Sequence, residues 1–152
     1  MENWIKYEGI EVAENEIVER SRLYYELMDK RRSVREFSDK PVPMAVIENI
    51  IKTASSAPSG AHKQPWTFCV VSSRKIKQQI REAAEKEEFT KYYGWMSEEW
   101  LENFKVIGTD WHKPFLETAP YLIIVFKKAY DFDENGEKSK NYYVNESVGI
   151  AC

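Results

Sequence analysis

The side chains best able to do chemistry fall in three stretches. RRSVREF, Arg31 to Phe37, places three guanidinium groups and one hydroxyl within five residues, beside a helix end. Arginine forks grip phosphate oxygens two at a time and stay charged at any relevant pH, so the cluster suits a phosphomonoester. A helix C-terminus dressed with cations that complement its macrodipole explains the same residues equally well. APSGAHKQPW, Ala57 to Trp66, offers a serine, a glycine and main-chain N–H groups just ahead of an apolar run. Glycine removes the side chain that would keep a ligand away from the backbone. Taken alone, the pattern is also that of an ordinary turn.

The third stretch, EKEEFTKYYGW, Glu85 to Trp95, crowds acids and rings together. Glu88 and Tyr92 are four apart and share a face if a helix persists, so both can point at one object. Glu87 and Lys91 have the same spacing in the favourable acid-first order, which is a plain reason for the charge density. Glu87 also falls closer to the line of Ile76, Ile80 and Ala83, so helical geometry by itself favours a solvated face.

Other chemistries find little support. His62 and His112 have no second histidine or cysteine at ligand spacing, which argues against zinc and leaves each a polar loop residue. Cys69, inside WTFCVV, is expected to be a small buried core residue. Hydrolase elbows, triphosphatase phosphate loops and dinucleotide glycine fingerprints are absent, and no catalytic triad can be assembled. With 22 basic and 25 acidic side chains, a net charge of -3 gives neither a nucleic-acid-binding face nor an acidic tail. Small molecules or proteins are the expected partners. Two cysteines in 152 residues fit a reducing compartment, cytoplasm by default. MENWIKYEGIEVAENEI has no signal-peptide core, and no apolar run approaches the roughly 20 residues that span a bilayer, so a soluble protein is expected.

These residues need elements to position them. From Glu14 to Arg31, Ile17, Val18, Leu23, Tyr24, Leu27 and Met28 recur at helical steps. Pro43 opens a second helix, PMAVIENIIKTA, with Val46, Ile47, Ile50 and Ile51 on one face. SSAPSGAHKQP is a loop of special backbone geometry, and WTFCVVS a strand expected to be covered on both faces. SRKIKQQIREAAEKEEF returns to helical spacing. YYGWMSEEWLENFKVIGTDW has rings without a period and reads as a mobile or partner-dependent excursion. WHKPFLETAP gives a turn and short helix stopped by Pro120, YLIIVFKKA a second strand, and DENGEK a turn centred on Asn135 and Gly136. NYYVNESVGIAC starts a last helix, with Ser147, Gly149 and Ala151 at sites where close packing is possible. The length suits one domain, but two strands rarely make a stable sheet. The element order is that of a layered α+β or α/β domain lacking its last strands, so a fragment, a truncated product or a chain completed by a partner is expected.

RRSVREF, APSGAHKQPWTF, and EEFTKYYG followed by WHKPFL together resemble the nitroreductase superfamily of flavin enzymes. The last two are similar to its iodotyrosine deiodinase family, and the likeness runs from about Tyr24 to Cys152. The resemblance implies an α+β, nitroreductase-like layered fold with a central mixed or antiparallel sheet flanked by helices, incomplete here. It implies one flavin domain over residues 1–152, with an active-site lid at 87–112. Arg31, Arg32, Ser33, Val34 and Arg35 would hold flavin mononucleotide (FMN), and Ser59 and Gly60 would add contacts. The chemistry then lies on the flavin, with no side chain assigned as catalytic and no metal. The Ala61 N–H would donate to a substrate phenolate, while Glu88, Tyr92 and Lys113 would read the zwitterion of an amino acid.

Elementary physics is consistent with that assignment: an ammonium and a carboxylate are costly to desolvate unless each meets a complement, and Glu88 and Lys113 supply one of each sign. The implied activity is FMN-dependent reductive dehalogenation of iodotyrosine or other halotyrosines to tyrosine and halide. NAD(P)H would be the ultimate electron donor, in a cytoplasmic homodimer without nucleic-acid or membrane partners. Family members continue past the IAC segment with further helix and strand, a threonine near flavin N5, another arginine for the phosphate and an arm around the partner subunit. Two other functions fit these residues: a general NAD(P)H-dependent nitroreductase or flavin reductase, and a non-catalytic ligand-binding remnant.

Overall fold

Apolar periodicity and a few breakers place most of the elements. The computed structural model describes residues 6–152, so the first residues of MENWIKYEGI lie outside the described residues. In chain order the elements are α1 (Glu14–Asp29), α2 (Met44–Ser55), a single 3₁₀ turn (Gly60–His62), β1 (Trp66–Val71), α3 (Arg74–Gly94), α4 (Glu98–Val106), α5 (Phe115–Thr118), β2 (Leu122–Lys127), β3 (Tyr130–Phe132), β4 (Lys138–Lys140) and α6 (Val144–Ala151). They form two compact units, one ending at Arg35 and one running from Glu36 to Cys152.

The first unit is built on α1. Its acidic first turn, Glu14 and Glu16, complements the helix dipole, and Arg20 pairs with Glu16 at 2.8 Å one turn on. The helix stops at Asp29, two residues before the expected Arg31, where the Lys30 and Arg31 N–H groups close onto Leu27 and Met28 carbonyls. None of its residues is buried, and the apolar stripe from Ile17 to Met28 stays exposed.

The second unit is an α+β arrangement around an antiparallel pair. β1 and β2 run from Trp66 opposite Lys127 to Val71 opposite Leu122. Phe68, Ile123 and Val125 face α2 and α6 across an apolar groove of about 800 Å³. Ile47, Pro65, Trp66, Val71, Ala119 and Ala151 are the buried apolar residues. On α6 the small residues Ser147 and Ala151 are buried one turn apart, whereas a Cβ at Gly149 would meet nothing within 4 Å. No helix of the described residues is long and apolar enough to cross a membrane.

Four expectations need correction. The WTFCVV strand is covered on one face only, because the helices lie on the Phe68 side and leave Thr67 and Cys69 open. Cys69 is therefore exposed, not a core residue. Among the described residues there are four strands and not two: β3 and β4 make a second antiparallel pair, Tyr130 opposite Lys140 and Phe132 opposite Lys138. Each is three residues long, too short to show alternation, and their turn is held by Asp133, whose carboxylate accepts from the N–H groups of Asn135 and Glu137 at 2.9 Å. Finally, the ring-rich segment contains α4. Its start is a cap that apolar periodicity does not register: Ser97 Oγ accepts from the Trp100 N–H at 3.3 Å, and Glu98 and Glu99 follow in the first turn. Ser97→Ala is expected to cost α4 about 1 kcal/mol, read as faster amide hydrogen exchange in that helix with little change elsewhere.

Candidate active site

The inward stripe of α3 is charged. Ile76 is 47% exposed and Ala83 is exposed, while Lys77 is 6% exposed and Arg81, Glu85, Glu88 and Tyr92 are half-buried along one line. This reverses the sequence expectation about the helix face: Glu88 lies on the packed side and Glu87 on the solvent side. Glu87 does pair with Lys91 at 3.2 Å, the plain solvated role expected of it.

Opposite that stripe runs the segment from Asp110 to Ala119, which a turn and α5 hold in place. Lys77 Nζ donates to the Glu117 carbonyl at 3.0 Å and the Ala119 carbonyl at 2.6 Å. Arg81 Nε donates to Glu117 at 2.9 Å, and its Nη1 to Glu85 at 3.0 Å. Glu85 Oε1 accepts from the Lys113 N–H at 2.8 Å. The next turn of α3 then brings Glu88 to 3.2 Å from Lys113 Nζ, which also donates to the Asp110 carbonyl at 2.5 Å. Glu88 and Lys113, 25 positions apart in the chain, are thus a joined pair of opposite charges.

Tyr92 completes the trio one turn after Glu88. Its ring stacks on Phe104 of α4 at 5.7 Å, and Phe104 in turn approaches Trp100 at 6.0 Å. Phe89, on the adjacent face, meets Trp111 edge-on at 5.2 Å. Burial first, then the carboxylates of Glu88 and Asp110, push the Tyr92 hydroxyl above its ordinary value. Tyr92 therefore stays a neutral donor at physiological pH, and the stability linked to it is lost only as pH rises past the ordinary tyrosine range. Asp110 is held below its usual value, chiefly by accepting the His112 N–H. A half-buried anion, cation and hydroxyl together can receive a ligand bearing both signs of charge, at the cost of opening the existing pair.

The loop before β1 has the special geometry expected of it. Ala61, His62 and Gln64 all take positive φ, at 49°, 53° and 45°. Such non-glycine residues cost of order 1 kcal/mol each and persist where surrounding bonds over-determine them. Here Ser59 Oγ accepts from the Gln64 N–H at 2.9 Å, the Ser59 carbonyl from the His62 N–H at 3.1 Å, and Ser147 Oγ from the Gly60 N–H at 3.4 Å. The Ala61 N–H has no acceptor among the described residues.

Arg31, Arg32, Ser33, Val34 and Arg35 are exposed at the end of the first unit. Arg32 folds back on the Asp29 and Arg31 carbonyls, as a helix-end cation does. Among the described residues the Arg31, Ser33 and Arg35 side chains have no hydrogen-bond partner, so this donor set matches the needs of a phosphate.

Comparison with known proteins places the chain. The nitroreductase family pattern matches residues 28–152. The chain belongs to the nitroreductase family. Within it, the chain is 62% identical to the iodotyrosine deiodinase of Haliscomenobacter hydrossis over 149 residues, which is 98% of this chain and 67% of that protein. It is 49% identical to Homo sapiens iodotyrosine deiodinase 1 over 139 residues, covering 91% of this chain and 48% of that one. A crystal structure of oxidised iodotyrosine deiodinase bound to FMN and 3-iodo-L-tyrosine superposes with a TM-score of 0.72 at 35% identity, over 84% of this chain and 63% of that chain. The chain thus has a nitroreductase-family α+β fold and spans about half the length of the animal relatives it matches.

Sequence reasoning passed over Glu85, Arg81 and Phe104. The first two were legible only as a helical series of charges at Lys77, Arg81 and Glu85, a pattern that looks solvated until Glu117 and Lys113 are set opposite.

Proposed function

We propose that this chain belongs to an FMN-dependent iodotyrosine deiodinase that removes halide from halotyrosines. The observation that carries the proposal is the Glu88–Lys113 pair at 3.2 Å, with Tyr92 one turn after Glu88 on α3. Glu88 takes the substrate ammonium and Lys113 its carboxylate, so a zwitterion exchanges one ion pair for two. Tyr92 adds a neutral hydroxyl and, with Phe104, a ring wall that excludes water. The Ala61 N–H, which no group among the described residues engages, donates to the phenolate oxygen.

Arg31, Arg32, Ser33 and Arg35 serve the FMN phosphate and polar edge, Val34 lies among them, and Ser59 and Gly60 contribute from the loop. When bound, reduced FMN supplies the two electrons that, with one proton, replace the carbon–halogen bond by carbon–hydrogen and release halide. NAD(P)H is the ultimate source of those electrons, and the full-length protein is a cytoplasmic homodimer. Segment 87–112 acts as a lid over the ligand: α4 is flanked by Gly94 and Gly108, neither with a neighbour that would crowd a side chain, and is tied to α3 by the Tyr92–Phe104 stack.

The test is anaerobic mixing of chemically reduced, FMN-loaded, full-length protein with 3-iodotyrosine. Reoxidation of the flavin with release of iodide is expected, and its absence would remove the deiodinase assignment. A general nitroreductase, the reading favoured by family membership alone, would instead reduce nitroaromatics rapidly and ignore halotyrosine. Ligands with one charge provide a further check. 3-Iodotyramine, which lacks the carboxylate, is expected to bind about a hundredfold more weakly than 3-iodotyrosine by flavin fluorescence titration, because Lys113 is left without its partner.

A further inference from the structure

We propose that Glu85 is a positioning residue that fixes Lys113 against Glu88 and so sets how tightly the site holds a zwitterion. The inference rests on the function proposed above but concerns a residue to which that reading assigns no ligand contact. Glu85 lies one turn before Glu88 on α3, its side chain 14% exposed, and uses its two oxygens differently. Oε2 takes Arg81 Nη1 at 3.0 Å, tying the carboxylate to its own helix. Oε1 takes the Lys113 main-chain N–H at 2.8 Å, tying the helix to the segment opposite.

Lys77 and Arg81 fasten Glu117 and Ala119 farther along, and the Lys113 side chain reaches the Asp110 carbonyl and Glu88. Among the described residues, only Glu85 holds the main chain of Lys113 itself to α3. That distinction matters because lysine is a point charge on a flexible four-carbon stem. With its backbone free, the ammonium samples a wide volume, and ligand binding must order it. With its backbone fixed one turn from Glu88, that ordering is complete before the ligand arrives. Arg81 and Glu117 extend the same device: Arg81 aligns Glu85 while holding α5, so one stripe of α3 carries both the ligand-reading carboxylate and the means of placing its cationic partner.

The experiment uses FMN-loaded, full-length protein and two probes, 3-iodotyrosine and 2-iodophenol, which shares the ring but lacks the zwitterion. Glu85→Ala is expected to weaken iodotyrosine binding about tenfold and to leave iodophenol binding unchanged. Glu85→Gln keeps an oxygen acceptor for the Lys113 N–H and is expected to restore binding to within about threefold of wild type. In a Lys113→Ala background, Glu85→Ala should have no further effect. Equal losses for both probes, failure of Gln to rescue, or an undiminished effect without the Lys113 side chain would each overturn the proposal. Hydrogen exchange at the Lys113 amide supplies a ligand-free arm, slow in wild type and fast in Glu85→Ala. A fast amide in wild type overturns the latch. A slow one in a protein that ignores iodotyrosine overturns the substrate assignment alone.

Discussion

Glu88→Gln is expected to weaken 3-iodotyrosine binding by about a hundredfold or more, some 3 kcal/mol, while barely changing stability. The substitution keeps the shape of the side chain and removes its charge. In the free protein little is lost, because Glu88 is 36% exposed and such ion pairs contribute about 0 to 1 kcal/mol. In the complex the same change is costly, because the substrate ammonium enters a water-poor site and meets a dipole in place of an anion. Titration through flavin fluorescence, paired with thermal unfolding of the same samples, separates the two quantities. A binding change below about threefold, or a loss of binding matched by a loss of stability, would remove Glu88 from the ligand-reading role.

What could be read in advance follows from what each element relies on. α2 and β2 rest on apolar runs, a signal that survives in one sequence, and both appear within two residues of the expected limits. α4 rests on a serine cap and on rings that stack across helices, so its apolar residues follow no single period. β3 and β4 rest on pairing with each other, which three-residue strands cannot advertise. Cys69 was misplaced because a nearly all-apolar strand looks equally suited to either kind of sheet, and only the helices' location decides which face stays open.

The site divides along the same line. The loop from Ser59 to Gln64 announced its backbone geometry through serine, glycine and proline. Glu88 did not, because its face of α3 is marked by Lys77, Arg81 and Glu85, whose complements lie 28 to 42 positions away in the chain. Apolar periodicity is blind to a helix that packs through charge. Resemblance to a family singled out Glu88, and the physical reason became visible only with Lys113 opposite it.

Gly60→Ala is expected to disturb the loop before β1, the loop proposed above to contact FMN. A Cβ there would lie 2.8 Å from Tyr143 Cδ2, 3.0 Å from the Tyr142 carbonyl oxygen and 3.3 Å from Tyr143 Cβ. The ring is 71% exposed and can swing aside, but the carbonyl belongs to the backbone that leads into α6 through Tyr143, itself at φ 50°. Moving either strand of that contact pulls the Gly60 N–H from Ser147 Oγ, a hydroxyl on a residue only 3% exposed. Overpacking and the lost bond together amount to about 2 to 4 kcal/mol, with FMN affinity falling alongside because Ser59 and Ala61 shift with the loop. Gly149→Ala is the matched control: inside α6, with nothing within 4 Å of the new Cβ, it should stabilise by about 0.5 to 1 kcal/mol by restricting the unfolded chain. Urea unfolding of both variants, with FMN retention measured on each, distinguishes a crowded loop from a generally intolerant helix. Equal behaviour of the two alanines would mean that the Gly60 contact yields without cost and that the loop owes its shape to Ser59 alone.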